Sequence, residues 1–253
     1  MLETETREVI LETPDVEIDL RETIIVEDRP SVFIVIPAYN EEKVIEDVIA
    51  EIRQAGYDNI VVVDDGSKDA TYEKAEKAGA EVLRHLINRG QGAALRAGIN
   101  YVSEAYDPDI IVTFDADGQH RAEDIRKLIQ PILHENADIV LGSRFLDSHD
   151  NIPPARKLML RCAVLFTNII SHIHLTDTHN GLRALNRQAY RSIKIFHRGM
   201  EHASDIIDEI SRNRLRYQEV PVRIAYSEYS LGKGQRTSNF AKIAIKIILK
   251  KII

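Results

Sequence analysis

Asp115 and Asp117, separated by one residue in Ile110-Ile-Val-Thr-Phe-Asp-Ala-Asp-Gly-Gln-His120, point most directly to chemistry. Two carboxylates this close repel each other unless a cation lies between them or one takes a proton. Oxygen ligands of this kind suit Mg²⁺ or Mn²⁺, ions that often also hold substrate phosphates. An ordinary Asp-Gly turn after a strand is the plain alternative, and the spacing alone does not separate the two readings. Other polar clusters share the setting. Tyr39 and Glu41 lie in Pro37-Ala-Tyr-Asn-Glu-Glu42, Asp64 and Asp65 open Asp64-Asp-Gly-Ser-Lys-Asp-Ala-Thr71, and Arg144 closes Asp138-Ile-Val-Leu-Gly-Ser-Arg144.

These clusters need elements to position them. Ser31–Ile36, Asn59–Val63, Ala80–Arg84, the run from Ile110, and Asp138–Arg144 read as buried strands, rich in β-branched residues. Pro37 breaks the first. Amphipathic helices are expected between the strands: one through Val44, Ile45, Val48, Ile49 and Ile52 with Asn40 as its N-cap, one capped by Asp69, one over about Ala93–Glu104, and one over Ala122–Asn136 with Leu128, Ile129 and Leu133 facing inward. A further helix around Ser204–Arg214 precedes a last strand, Tyr217–Ile224. Strand, loop and helix repeat four times through Asn136, which predicts a mostly parallel sheet covered by helices on both faces. Polar clusters after parallel strands collect along the carboxyl edge, where open α/β sheets bind ligands.

The 253 residues carry a net charge of −7, so a general nucleic-acid binder is not expected. Residues 1–30 hold ten acidic and three basic residues; they form an acidic extension with no assigned chemistry. The single cysteine, Cys162, lies in an apolar run and reads as a core thiol. The N-terminus has no apolar signal-like stretch, and no apolar run reaches the length of about 18 residues that a spanning helix needs; a cytoplasmic location is therefore expected. His172 and His174, two apart, do not share one helix face and read as structural. Phe240–Ile253 places Lys242, Lys246 and Lys250 four apart against a broad apolar face. Such a helix suits a membrane interface with anionic headgroups; docking on the domain core or on a second subunit is the alternative.

Five stretches, Pro37–Glu42, Asp64–Thr71, Asn88-Arg-Gly-Gln-Gly92, Asp115–His120 and Gly142-Ser-Arg144, resemble the inverting family 2 glycosyltransferases of GT-A fold. A looser likeness through Gly181-Leu-Arg183, Glu219-Val-Pro221 and Gly232-Lys233 resembles their dolichyl- and polyprenyl-phosphate sugar synthases. The resemblance implies a GT-A, Rossmann-like domain over residues 31–236 with a basic amphipathic, membrane-associated helix over 237–253. It implies that Pro37, Ala38, Tyr39, Glu41, Val63 and Asp65 hold the base and ribose of a nucleotide sugar, and that Ala116 lies at the donor. Asp115, Asp117 and Gln119 would hold Mg²⁺ or Mn²⁺ on the donor diphosphate. Arg144 and Lys233 would bind phosphate during catalysis, Arg156 and Arg183 the acceptor phosphate. Asp205 stands where the family often has an acidic residue near the acceptor, as an orienting group or base.

The implied reaction moves a hexose, mannose or glucose, from a UDP- or GDP-sugar to polyprenyl or dolichyl phosphate at the cytoplasmic face of a membrane, alone or beside a membrane-protein partner. One position departs from the dolichyl-phosphate mannose synthases: Ser227 stands where they usually have an Arg six residues before the loop lysine, which shifts donor-phosphate contacts toward Arg223 or Arg236 and weakens the case for GDP-mannose. Two rivals remain. One is a soluble glycosyltransferase acting on a sugar, glycerate or protein hydroxyl, with Asp205 as an essential base. The other is a non-catalytic nucleotide-binding scaffold.

Overall fold

The computed structural model describes residues 30–146, 164, 168, 171 and 173–225, and the chain divides after Pro30. The second unit is built on strands β1 (Val32–Ala38), β2 (Ile60–Asp64), β3 (Glu81–Arg84), β4 (Ile110–Thr113), β5 (Ile139–Ser143), β6 (Arg183–Asn186) and β7 (Tyr217–Pro221). The helices are α1 (Ile45–Gln54), α2 (Thr71–Lys77), α3 (Gln91–Ala105), α4 (Ile125–Leu133), α5 (Arg187–Ser192) and α6 (His202–Arg212), with a 3₁₀ turn at Ala122–Asp124. The sheet order is β3-β2-β1-β4-β6-β5-β7. Every pairing is parallel except those of β6, which runs antiparallel between β4 and β5.

The strands from β1 to β6 feed both layers, while β7 at the edge gives only Val220 to one of them. Ile34 and Ile36 face one core with Ile45, Ile49, Ile125 and Leu128 of α1 and α4. Phe33 and Val35 face the other with Leu95, Ile99, Ile206 and Ile210 of α3 and α6. Burial on both faces explains the continuous apolar runs.

Several local expectations shift. Pro37 does not break β1 but lies inside it. Its register partner is Val63 of β2, while pairing with β4 ends at Val35 opposite Thr113. The Val35 carbonyl points to the β4 side, where it accepts from Phe114 N at 3.0 Å, so Pro37 lacks its N–H on a side where β4 has already ended. Asn40 does not cap α1, which starts at Ile45; with φ +54 its side chain instead accepts from Lys68 N at 2.9 Å. Asp69 does bind the start of α2, accepting from Thr71 N at 3.1 Å. The helix expected to run to Asn136 ends at Leu133, which is exposed rather than inward, because Glu135 turns to φ +54. The last strand ends at Pro221. Cys162, His172 and the 240–253 helix lie outside the described residues; His174 is exposed.

Candidate active site

The parallel register brings Ala38, Asp64 and Thr113 to one edge of the sheet, and the polar clusters follow those ends. Asp115 lies two residues past β4. Its Oδ1 accepts from Gln91 Nε2 at 3.0 Å, and its Oδ2 lies 3.0 Å from His120 Nε2. His120 is buried, packed edge-on against Phe114 with ring centroids 5.4 Å apart. Gly118, at φ +72, turns the chain between the two carboxylates and His120. Gly181, two residues before β6, presses on Asp115: a Cβ there would stand 2.2 Å from Asp115 Oδ2. Its carbonyl accepts from Thr113 Oγ1 at 2.6 Å.

The two carboxylates differ electrostatically. Burial alone would raise Asp115, but the His120 hydrogen bond and the charges of His120 and Arg183 outweigh it and hold the group below its ordinary value. Asp117 is pushed up, first by burial and then by the charge of Asp115. One carboxylate is thus a settled anion and the other is strained as one, a pair that a cation would relieve. Among the described residues no three His, Cys, Asp or Glu side chains form a metal cluster. Two carboxylates nevertheless fit a hard divalent ion that completes its shell with substrate phosphates and water, and Asp117 supplies the uncompensated charge that such an ion would neutralise. Gln119 follows on the same turn; its carbonyl accepts from Ala225 N at 2.9 Å.

Positive groups lie close behind. Arg183 opens β6 opposite Thr113. It is only 2% exposed, and its Nη1 has no hydrogen-bond partner among the described residues. It is therefore neither a surface charge nor a rim residue but a buried cation beside Asp115, depressed by burial and supported by Asp115 and Asp177. Asn180 Nδ2 is a second buried donor without a partner among the described residues. His202 is pushed down to about 4 by burial and then by Arg183, and is neutral at physiological pH. Arg144 is committed on one side: its Nε and Nη2 bind Asp177 at 2.6 and 2.8 Å. Burial would raise Asp177, but the charge and hydrogen bonds of Arg144 hold it low.

At the nucleotide side, Tyr39 stands 39% exposed just past β1, while Pro37, Ala38 and Val63 end the strands beneath it. Asp65 N donates to Ala38 O at 2.8 Å, tying the two loops together. Glu41 is buried, and its N–H donates to Thr71 Oγ1 at 2.8 Å. Asp65 itself is buried and accepts from Arg89 N at 2.9 Å and Gly90 N at 2.7 Å, with His85 Nδ1 at 2.7 Å. Most of its acceptor capacity thus holds the loop between β3 and α3.

Asp205 departs most from expectation. It is buried at the start of α6 and accepts from Phe196 N at 2.8 Å and His197 N at 2.6 Å, with His197 Nδ1 also at 2.6 Å. It anchors the loop before α6 and is not a surface carboxylate. Arg156, Lys233 and Arg236 lie outside the described residues. Arg223 lines a cavity of about 750 Å³ with Tyr57, Arg121 and Arg126, on the flank of α1. The sequence reading passed over Gln91, His120, Asn180 and His202. Gln91 and His120 lie within quoted motifs and carried a signal; His202 lay 87 residues from Asp115 in a helix with no motif.

Residues 33–194 match the family described as Glycosyl transferase family 2. A UDP-N-acetylglucosamine–dolichyl-phosphate N-acetylglucosaminyltransferase of Methanococcus voltae is 33% identical over 244 residues, covering 87% of this chain and 96% of that protein. An uncharacterized protein of Methanocaldococcus jannaschii is 38% identical over 229 residues, covering 89% and 94%. Among solved structures, glucosyl-3-phosphoglycerate synthase from Mycobacterium tuberculosis in complex with phosphoglyceric acid superposes with a TM-score of 0.68 over 87% of this chain and 78% of that one. At 22% identity that likeness concerns the fold alone.

Proposed function

The chain belongs to glycosyl transferase family 2, and we propose that it transfers a sugar from a nucleoside diphosphate sugar to polyprenyl or dolichyl phosphate, inverting the anomeric centre. The observation that carries this reading is the state of Asp205. An alcohol acceptor needs a base to take its proton, and the one carboxylate expected to serve is held by three donors. A phosphomonoester, with a second pKa of about 6, needs no such base. Its oxygen attacks C1 of the sugar, the bond from C1 to the donor diphosphate breaks, and the electron pair leaves on the diphosphate. The lipid-phosphate relative from Methanococcus voltae supports the same acceptor, and its name widens the donor from mannose or glucose to N-acetylglucosamine.

In this reading Asp115 and Asp117, with Gln119, hold Mg²⁺ or Mn²⁺, which would supply Lewis-acid stabilisation to the departing nucleoside diphosphate. Tyr39 offers a stacking face at the rim, and Glu41 and Asp65 shape the ribose and base subsite. Arg183 and Asn180 bring buried donors toward the phosphates from behind Asp115, where low dielectric strengthens each contact. Arg144 acts from its Asp177 clamp, and Lys233 and Arg156 belong to the phosphate contacts. Residues 31–236 are the catalytic domain, with 1–30 as an acidic extension. The enzyme is peripheral at the cytoplasmic face, with the 237–253 helix at the membrane. Among the described residues no helix is long and apolar enough to cross a membrane.

The test is nucleoside diphosphate release in detergent with Mg²⁺ or Mn²⁺, across UDP- and GDP-hexoses and UDP-N-acetylhexosamine, with and without polyprenyl phosphate. Release that requires both the ion and the lipid phosphate is expected. Release that ignores the lipid and responds to a soluble alcohol would replace this reading with that of a soluble glycosyltransferase.

A further inference from the structure

Two loops on the rim of the site share a construction, and their outward tips take no part in the transfer reaction. The loop between β3 and α3 is pinned at both stems by one buried carboxylate, Asp65, through His85 on one side and the Arg89 and Gly90 amides on the other. The backbone between the stems rests on Gly66, whose Cβ, were there one, would stand 2.7 Å from the Ile87 carbonyl carbon. The tip is therefore held outward, and Leu86 is 98% and Ile87 71% exposed. The loop before α6 is pinned in the same manner by Asp205. It presents Phe196 at 55% and Met200 at 38% exposure. The two loops touch: Arg198 O accepts from Gly92 N at 2.7 Å, and Gly90 takes φ +94 where a Cβ would stand 2.4 Å from Arg198 O.

Of the nine large apolar side chains recorded as exposed among the described residues, four fall in these two loops, and clusters of this kind mark interaction surfaces. The charge around them is mainly positive, with Glu201 at the foot of the second loop, beside Gly199, as the exception. Residues 84–89 and 194–200 contain no Asp or Glu, in a chain whose net charge is −7. Arg89, Lys194 and Arg198 are all exposed. Apolar tips set among cations complement an anionic bilayer surface, where the tips enter the headgroup boundary and the cations remain at the phosphates.

We infer that the tips of the β3–α3 loop and of the loop before α6 form a docking face for an anionic lipid bilayer. The inference deepens the lipid-phosphate reading and rests on it for its purpose, since a docked rim lets the acceptor phosphate reach the site from the headgroup layer. It adds a contact to the one expected of the 237–253 helix, built on the catalytic domain itself.

The test uses the full chain and co-sedimentation with phosphatidylcholine vesicles, with and without an added anionic phospholipid. Wild type is expected to favour the anionic vesicles, with binding that falls as salt rises. The variant Leu86→Ser/Ile87→Ser is expected to bind them at least about tenfold more weakly, with unchanged Tm and unchanged turnover in detergent. Lys194→Glu is expected to remove the preference for anionic over neutral vesicles, and it tests the same face should the double variant fold poorly. Vesicle binding equal to wild type in both variants would overturn the inference, as would a wild type that ignores vesicles, or variants that lose only self-association. Should wild type bind vesicles through these loops yet transfer nothing to lipid phosphate in detergent, the docking face stands and the reaction falls. The reverse result removes the docking face alone.

Discussion

At the residue scale, Asp117 and Gly181 trade stability against chemistry in opposite ways. Asp117 is raised by burial and by Asp115. In the metal-free protein its ionised form therefore costs stability at neutral pH, because an acid with a raised folded pKa loses stability as pH climbs from its unfolded value through the folded one. Asp117→Asn removes that charge. The metal-free variant is expected to melt at a higher temperature than the metal-free wild type, while turnover is abolished. Scanning calorimetry and the release assay check both halves, and wild-type-like turnover would remove Asp117 from the metal site. Gly181→Ala tests the other direction. The added Cβ meets the carboxylate of Asp115, which can give way only by loosening its contacts with Gln91 and His120. A carboxylate displaced by about an ångström is expected to cost about a hundredfold in kcat/KM together with a lower Tm.

At the element scale, α6 and the loop before it are joined by Asp205, which separates the two acceptor chemistries. Asp205→Ala leaves the Phe196 and His197 amides without their acceptor. A cost of about 2–3 kcal/mol is expected from buried donors left unmade, seen as a lower midpoint in urea, together with a partial loss of turnover. A general base would behave differently, with turnover on every acceptor gone and the urea midpoint unmoved. The helix and its loop were legible in sequence only in part. The apolar spacing of Ile206, Ile207 and Ile210 marks the helix, and all three are buried. Nothing local to Asp205 announces that its partners lie eight and nine residues upstream.

At the scale of the whole molecule, stability follows pH through groups buried around the site. His202 is depressed to about 4 from an ordinary 6.5. The unfolded chain then binds this proton first, so stability falls as pH drops from about 6.5 to about 4. Asp117 works against this trend, because its raised value favours the folded state as it takes a proton. Asp177, held low by Arg144 against the effect of burial, keeps its contribution until the pH falls below the ordinary carboxylate value of about 4. His202→Gln is expected to reduce the slope of urea midpoint against pH between about 6.5 and 4, leaving the share of His179, which burial also lowers, and the acid loss below that window. A curve of unchanged slope would mean that His202 is not the titrating group.

The alternation of strand and helix, the amphipathic faces and the placing of acidic clusters after strands were all determined by sequence alone. Each depends on the identity of residues a few positions apart, and parallel strands then bring their ends to one edge whatever the details. The tertiary structure alone decided what those acidic residues do there. The four residues of β6 are too short to declare a period, yet their antiparallel insertion puts Gly181 against Asp115 and buries Arg183 beside it. Asp65 belongs to a loop 20 to 25 residues away, and Arg144 to a carboxylate 33 residues on. A polar side chain finds its partner through the packing of the layers around it, and local spacing holds no record of a contact made across the sheet.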